Sequence, residues 1–372
     1  MKTQIIGVTG PGGFVAGHLI RALLNQTDMQ ILALPRDTWE DDRLLGDFVA
    51  QCDTIVHLAG MNRGSEEDIY KTNVALVDKL VAAADLVGTP LHIVFASSTQ
   101  RDRDQGYGRS KKYGEAQFAA WAARSTNRVA TSLVIPNVYG AGCRPFYNSV
   151  VATFCHQLAK GEEPHIDQDN LVEFIWVNEL VQRIVESLGL REKGVVRLAG
   201  TAKMRISELL AKLQHFRESH AKHDTVPNIS APLDASLYAT YLSYLDLQQH
   251  CHRPQVHTDE RGKLFEVIRM AGGGQVFFST TKPGVIRGNH FHTRKIEWFC
   301  VLEGEAVIRL RKVDDSEVHE FRVSGNSPQF ISIPVLHTHQ LENVGERDLL
   351  TMFWCNEIFV PEDTDTYFQN VA

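Results

Sequence analysis

Short, mostly apolar runs alternate with stretches of helical periodicity along the first half of the chain. Residues 5–9, 31–34, 54–58 and 91–96 read as strands. Between them, residues 14–25 place Val15, Leu19 and Leu23 on one helical face, and 72–87 carry a similar pattern. Strands that are apolar at successive positions are expected where helices cover both faces of a parallel sheet. The alternation predicts a doubly wound, Rossmann-like α/β fold. It continues through a strand at 129–134 and helical stretches near 147–160, 177–189 and 205–219.

The pattern changes after about residue 225. Pro227, Pro232 and Pro254 punctuate a connecting region over roughly 225–256, within which YATYLSYLDL has the composition of a short helix. From Gly262 onward the apolar residues fall into short β-like segments at 265–268, 275–280, 298–302, 306–310, 319–323 and 349–354. Glycines and charged turns separate them, which predicts an antiparallel sandwich or barrel. A chain of 372 residues fits two domains. We expect an α/β domain over 1–245 and an all-β domain over 246–372.

Composition narrows the partners. With 43% hydrophobic and 22% charged residues, the chain is of ordinary globular type. Its net charge of −7 gives no general attraction for nucleic acid or an anionic membrane. No apolar run reaches the ~18 to 20 residues that span a bilayer, and the start of the sequence lacks the features of a signal peptide. Six scattered cysteines (Cys52, Cys143, Cys155, Cys251, Cys300 and Cys355) contain no CxxC. A reducing, cytoplasmic setting is therefore expected.

The first strand runs into Gly7-Val8-Thr9-Gly10-Pro11-Gly12-Gly13-Phe14-Val15 and then a helix. Such a turn offers backbone N–H groups and a positive helix end to a pyrophosphate, and glycines let the backbone come close. The spacing, Gly7-x2-Gly10-x2-Gly13, is a variant of the dinucleotide fingerprint. Arg36, just past the second strand, suits the 2′-phosphate of NADP(H), where a carboxylate would suit NAD. Tyr107 and Lys111 stand four apart at the start of a helix and share a face. An ammonium beside a phenol favours the phenolate and lowers the tyrosine pKa. Such a tyrosine can pass a proton to a carbonyl oxygen while hydride reaches the carbon. Ser98, at the end of the fourth strand, could polarise the same oxygen, with Ser97 and Thr99 as alternatives one position away.

Histidines are denser toward the C-terminus: eight of the sixteen fall after Gln249. His290 and His292 alternate as residues on one face of a strand do, Glu297 opens the next segment, and His339 lies on another. Three imidazoles and a carboxylate form a good donor set for zinc or another divalent first-row metal. The spacing resembles the two-part cupin motif, GX5HXHX4EX6G from Gly284 to Gly304, then PXGX2HX3N from Pro334 to Asn343. It departs from that motif in having Leu336 for the turn glycine and a longer gap before Pro334.

The N-terminal residues resemble the extended short-chain dehydrogenase/reductases, with Val56-His57-Leu58-Ala59-Gly60, Asn73 and Asn137-Val138-Tyr139-Gly140 adding to the likeness. That resemblance implies that Leu58, Ala59 and Gly60 line the cofactor and that Asn73 orders the active site beside it. It also implies that Asn137 helps hold a nucleotide-sugar. Arg144 and Asn148 are candidates for the substrate's phosphates or sugar, with a structural turn and an ordinary helix-start residue as the alternatives. Through GVTGPGGFVAG, HLAGMNR, FYNSVVATFC, YATYLSYL, GNHFH, VSGN, IPVLHTH and DTYF, the whole chain resembles the CapF-type epimerase/reductases of bacterial capsule and O-antigen assembly. The resemblance implies a homodimer with zinc in the cupin. It also implies a UDP-2-acetamido-2,6-dideoxy-4-hexulose as substrate, inverted at C3 by the cupin. NADPH then reduces it to UDP-2-acetamido-2,6-dideoxy-L-talose, on the way to UDP-N-acetyl-L-fucosamine. The hydrogens beside a 4-ketone are acidic, so an acid–base pair can invert C3. His337 is one candidate, with Tyr367 and Lys295 as others, and a histidine in a structural turn is the plainer reading of it. Two competing functions are a non-catalytic NADP(H) sensor with a sugar-binding cupin, and a reductase whose cupin only dimerises. Tyr107 and Lys111 speak against the sensor, which needs no proton donor.

Overall fold

The apolar runs of the first half become strands buried on both sides, as a computed structural model of residues 3–24, 28–223, 225–246, 249 and 255–372 describes. In chain order these elements are β1 (Gln4–Thr9), α1 (Phe14–Leu23), β2 (Met29–Ala33), α2 (Asp42–Gln51), β3 (Thr54–His57), α3 (Glu66–Val87), β4 (Leu91–Ser98), α4 (Gly106–Ala123), β5 (Arg128–Ile135), β6 (Asn137–Tyr139), α5 (Val150–Ala159), β7 (Leu171–Trp176), α6 (Val177–Leu190), β8 (Gly194–Arg197), β9 (Ala202–Arg205) and α7 (Ile206–His223). The main sheet has the order β2-β1-β3-β4-β5-β8, parallel throughout. Leu19 and Leu23 of α1 pack with Leu180 and Ile184 of α6 against Ile6, Val8, Val56 and Val94 on one face. Phe48 of α2, Leu80 of α3 and Phe118 and Trp121 of α4 pack against Ile55, Ile93 and Phe95 on the other. Neighbouring residues of one strand thus enter different cores, which is why no polar alternation marks these strands. The strand order reverses between β1 and β3, and the crevice at the carboxyl ends there is where such sheets bind ligands.

α3 starts six residues ahead of the expected position 72. Its first turn is Glu66, Glu67 and Asp68 on a Ser65 cap, whose hydroxyl accepts from Asp68 N at 3.1 Å. Acidic groups at a helix N-terminus are stabilising, and such a cap contributes about 1 kcal/mol, but neither leaves an apolar period to read. α2 and the small sheet β6-β7-β9 also lie outside the elements read from the periodicity.

Packing divides the chain into two units, Met1–Leu213 with Ser236–Leu245, and Gln214–Ala235 with Asp246–Ala372. In the second come β10 (Thr225–Val226), the start of α8 (Pro232–Leu242), β11 (Val256–Asp259), β12 (Gly262–Met270), β13 (Gly274–Thr281), β14 (Ile286–Phe291), β15 (Glu297–Glu303), β16 (Glu305–Lys312), β17 (Val318–Ser324), β18 (Phe330–Ile333), β19 (His337–Asn343), β20 (Leu349–Cys355) and β21 (Tyr367–Phe368). Pro232 opens α8 at the first helical position, which a proline fits without cost. Of the connecting region, residues 247–248 and 250–254, with Cys251 and Pro254, lie outside the described residues, as does Asn25 at the expected end of the first helix.

Two sheets make up this second unit, β10-β12-β13-β20-β15-β18 with β11 on β12, and β17-β16-β19-β14-β21. All pairs except β10–β12 are antiparallel. Phe299, Val301 and Phe353 of the first share one core with Ala306, Ile308, Leu310 and Leu341 of the second, so the unit is a β-sandwich. The outer face of the first sheet also carries rings: Trp298 is 46% exposed and Phe330 57% exposed. No helix among the described residues is long and apolar enough to cross a membrane.

Candidate active site and metal centre

The turn after β1 is shaped by one glycine above all. Gly10 has φ +65°, and a Cβ there would lie 2.9 Å from the Ala59 Cα. Gly13 N donates to Gly10 O at 2.9 Å, and α1 begins at once, with no side-chain cap and no acidic residue in its first turn. α2, α3 and α5 are capped by Asp41, Ser65 and Ser149. α4 and α6 also start without a side-chain cap, so what sets the start of α1 apart is the glycine turn before it, where Gly12 has open space in place of a side chain and the backbone N–H groups can meet an anion. Gly7 does something else: a Cβ there would meet Cys52 Sγ at 2.6 Å and Phe48 Cζ at 2.7 Å, so it serves the packing of β1 on α2. Phe14 and Val15 open the helix, both half-buried, and Arg36 is exposed beyond β2.

Thr9, absent from the sequence candidates, ties the loop after β3 to this turn. Its hydroxyl accepts from Leu58 N at 3.1 Å and Ala59 N at 3.0 Å. Asn73 clamps the far side of that loop. Its Oδ1 accepts from Met61 N at 2.6 Å, and its Nδ2 donates to Met61 O at 2.8 Å and to Ser110 Oγ at 3.0 Å. The amide is fully engaged by protein, so Asn73 shapes the cradle around Gly60 and joins it to α4.

Ser98 and Ser97 end β4 pointing different ways. Ser98 lies beside Tyr107, its Oγ accepting from Gln100 N at 3.2 Å, while Ser97 Oγ donates to Glu115 Oε1 at 2.5 Å. Lys111 Nζ lies over the Tyr107 ring, 5.4 Å from its centroid, and donates to Ala96 O at 2.7 Å. The expected lowering of the tyrosine pKa is not what the site does. Burial pushes the Tyr107 phenol up and the Ser98 hydroxyl offsets only part of this. Burial also brings Lys111 down to about 8, against the pull of Glu115. Two desolvated groups each move toward neutrality, and burial outweighs their attraction. A phenol that stays protonated through the neutral range is a proton donor. Glu115, one turn beyond Lys111, was missed by sequence reasoning. It is 5% exposed and is held by Arg101 at 2.9 Å.

Arg144 and Asn148 lie on a loop that leans on Asn62 and Arg63. Asn148 Nδ2 donates to Asn62 O at 3.1 Å, and Arg63 donates to Phe146 O at 2.5 Å. The Arg144 and Arg63 guanidinium carbons each stand 5.6 Å from the Tyr147 ring centroid. Arg144 and Asn148 are exposed, and Asn137 is half-buried with its amide donating to Glu173 O at 3.2 Å.

In the second unit, His290, His292, Glu297 and His339 bring four donor atoms within 4.8 Å of one another. β14 and β19 pair His290 with His339 across a bulge at Asn289, whose φ is +60°, and His292 follows just past the strand end. Glu297 Oε2 lies 3.4 Å from His292 Nε2 and 3.3 Å from His339 Nε2, yet none of these three buried atoms has a hydrogen-bond partner. The reason is tautomeric. His292 Nδ1 donates to Asp365 O at 2.6 Å and His339 Nδ1 to His337 O at 3.3 Å, which leaves a lone pair on each Nε2. Acceptor faces acceptor around a carboxylate, an arrangement that a cation reconciles. Burial pushes Glu297 up, but the two imidazoles in their protonated form outweigh it and hold the carboxyl well below the usual carboxylate range, and Glu297 in turn raises His292 against its own burial, so the cluster calls for a positive charge, proton or metal. Burial and His339 bring His290 down to about 4, so it too offers a lone pair. The residues fit a divalent metal.

His337 sits two positions before His339 on β19 and so shares its face. Its Nδ1 donates to Val335 O at 2.9 Å, leaving Nε2 free to accept. Leu336, which stands at the cupin turn-glycine position, takes φ +57°, so the loop keeps a left-handed residue without glycine. Lys295 Nζ donates to Thr364 O at 2.7 Å, and Tyr367 stacks on Phe291 at 5.3 Å.

Comparisons with known proteins agree with both halves. Residues 6–197 match the NAD dependent epimerase/dehydratase family and residues 257–367 the polysaccharide biosynthesis C-terminal domain. A UDP-2-acetamido-2,6-beta-L-arabino-hexul-4-ose reductase of Pseudomonas aeruginosa is 30% identical over 98% of both chains. The crystal structure of the capsular polysaccharide assembling protein CapF of Staphylococcus aureus superposes with TM-score 0.86 at 34% identity, covering 98% of this chain and 100% of that one. A CapF structure with the inhibitor 3-isopropenyl-tropolone superposes with TM-score 0.81 at 31% identity, over 99% and 100%. The chain belongs to the NAD dependent epimerase/dehydratase family, and within it to the CapF type.

Proposed function

We propose that this is a cytoplasmic, bifunctional UDP-sugar enzyme with a reductase domain over 1–245 and a cupin domain over 246–372. The cupin epimerises C3 of a UDP-2-acetamido-2,6-dideoxy-4-hexulose. The reductase domain converts the C4 ketone to the alcohol of UDP-2-acetamido-2,6-dideoxy-L-talose, on the route to UDP-N-acetyl-L-fucosamine. The observation that carries this reading is the pairing, on one chain, of a buried phenol–ammonium pair with a four-donor metal centre. The full-length relative named as a hexul-4-ose reductase supports the substrate class.

The bound nicotinamide cofactor supplies a hydride to C4. Tyr107 gives its phenolic proton to the ketone oxygen, Ser98 orients that oxygen, and Lys111 stabilises the phenolate left behind. The start of α1, with Gly10, Gly12 and Gly13, receives the pyrophosphate, and Arg36 the 2′-phosphate of NADPH. Asn137, Arg144 and Asn148, with Arg63 beside them, hold the UDP-sugar. In the cupin, His290, His292, Glu297 and His339 hold zinc, which supplies Lewis acidity toward a ketone oxygen. A tropolone carries adjacent oxygens suited to chelation, so its action on a CapF relative supports a metal here. His337 Nε2 takes or returns the C3 proton on one face, and a second group, with Tyr367 and Lys295 as the candidates, serves the opposite face. The proposal extends to a homodimer, for which the ring face of Trp298 and Phe330 offers apolar surface.

The test is product NMR after incubation with the keto-sugar in deuterated water. Without NADPH, deuterium enters C3; with NADPH, the talo alcohol accumulates. A recovered substrate bearing neither change would refute the reading.

Two further results are expected. Arg36→Ala should raise KM for NADPH by ~10-fold and leave that for NADH nearly unchanged, since a lost phosphate contact costs only the phosphorylated cofactor. Equal effects on both would remove the role. Glu115→Gln should move the alkaline loss of reductase activity to lower pH by roughly half to one unit, because the carboxylate raises Lys111 against its burial. Lys111 is active when protonated, so removing the carboxylate makes it lose its proton earlier as pH rises. An unmoved limb in the kcat profile would show that Lys111 does not govern it.

A further inference from the structure

The C-terminal DTYF segment is quoted in the resemblance but has no part in the reactions above. Its first residue is Asp365, 5% exposed and left-handed at φ +44°. Aspartate is among the few residues that enter this region readily. Here the conformation aims two separate acceptors at one turn. The backbone carbonyl accepts from His292 Nδ1 at 2.6 Å. The carboxylate accepts from Thr293 Oγ1 at 2.6 Å, Thr293 N at 3.2 Å, Arg294 N at 2.9 Å and Lys295 N at 3.0 Å. Those three residues are most of the link between His292 and Glu297. One residue therefore fixes the tautomer and ring of one metal ligand and the course of the chain to the next.

The neighbours of Asp365 fasten it in turn. Lys295 Nζ donates to Thr364 O, and β21 pairs Tyr367 with Phe291 and Phe368 with His290. Gln369 N donates to Asn289 O at 2.9 Å, at the bulge that sets His290.

We propose that Asp365 is a positioning residue of the metal centre, acting through His292 and the 293–295 turn to set the spacing of the His292 and Glu297 donors. This rests on the metal reading given above. Partners of this kind, one bond removed from the ion, govern affinity by ~10 to 100-fold.

The test uses the full chain and measures zinc affinity by competition with a coloured chelator, and the visible spectrum of the cobalt(II)-loaded protein. Asp365→Asn keeps the left-handed tolerance but replaces a twice-accepting oxygen with an NH2 facing backbone N–H groups. It is expected to weaken zinc by ~10 to 100-fold and to alter the cobalt bands. Thr293→Val removes a single donor and is expected to weaken zinc by a few-fold; it decides the matter if Asp365→Asn does not fold. Lowered thermal stability of the chelator-treated protein with unchanged zinc affinity and cobalt bands would mean ordinary structural support, and overturns the proposal. If the unmodified chain binds neither ion, the metal reading itself falls and the proposal with it, an outcome set apart because it needs no variant.

Discussion

Tyr107→Phe is expected to cut NADPH-dependent ketone reduction by about 10³-fold, with KM for both substrates nearly unchanged. The substitution removes one oxygen from a side chain whose ring stays packed under Lys111. A lost polar contact of the hydroxyl is worth about 1 kcal/mol of stability, too little to unfold a domain. What disappears is the proton. A 10³-fold loss corresponds to about 4 kcal/mol in the barrier, near what a positioned acid contributes. Deuterium exchange at C3 without NADPH should continue at the original rate in this variant, because it needs none of these atoms. Reduction persisting within threefold of the original would mean that another group delivers the proton, and would remove Tyr107 from the mechanism.

The α/β half was legible because its chemistry sits at strand ends, where local sequence carries the signal. Gly10 and Gly13 announce a turn, and Tyr107 and Lys111 announce a shared helix face. What stayed hidden was the second layer of contacts. Thr9 and Glu115 act through partners ~20 to 50 positions away, and no spacing reveals a bond such as Ser97 to Glu115. The sign of the Tyr107 shift was also out of reach. It depends on burial, and a sequence displays the neighbouring charge while saying nothing of how dry the site is.

In the β half the gathering of His290, His292, Glu297 and His339 could be read because cupin-like spacing survives the bulge at Asn289. The strand argument for His290 and His292 was only half the cause, since His292 lies past the end of β14. Its direction comes from Asp365, 73 positions away. His337 gained a face only when the register of β19 was known. Contacts between residues distant in the chain fix these details, and periodicity is blind to them.

Those same contacts make metal removal the second large effect. The three partnerless atoms on His292, Glu297 and His339 are accounted for if a cation shares their lone pairs, and each left without one costs ~1 to 3 kcal/mol. A metal held a thousandfold above its Kd stabilises the folded state by about 4 kcal/mol. Stripping it with a chelator should therefore lower the melting transition of the β-rich unit by on the order of 10–20 °C. C3 deuterium exchange should fall by ~10²-fold or more, as expected where Lewis acidity is lost from an enolising ketone. Zinc returned in excess should restore both. Glu297→Gln should reproduce the pair of effects without chelator, because the amide keeps the shape and loses the charge. NADPH consumption with a ketone already inverted at C3 should be untouched in every case. Loss of exchange without any change in melting would make the ion purely catalytic. A melting shift with full exchange would make it only a brace, and neither change would empty the four-donor centre of its role.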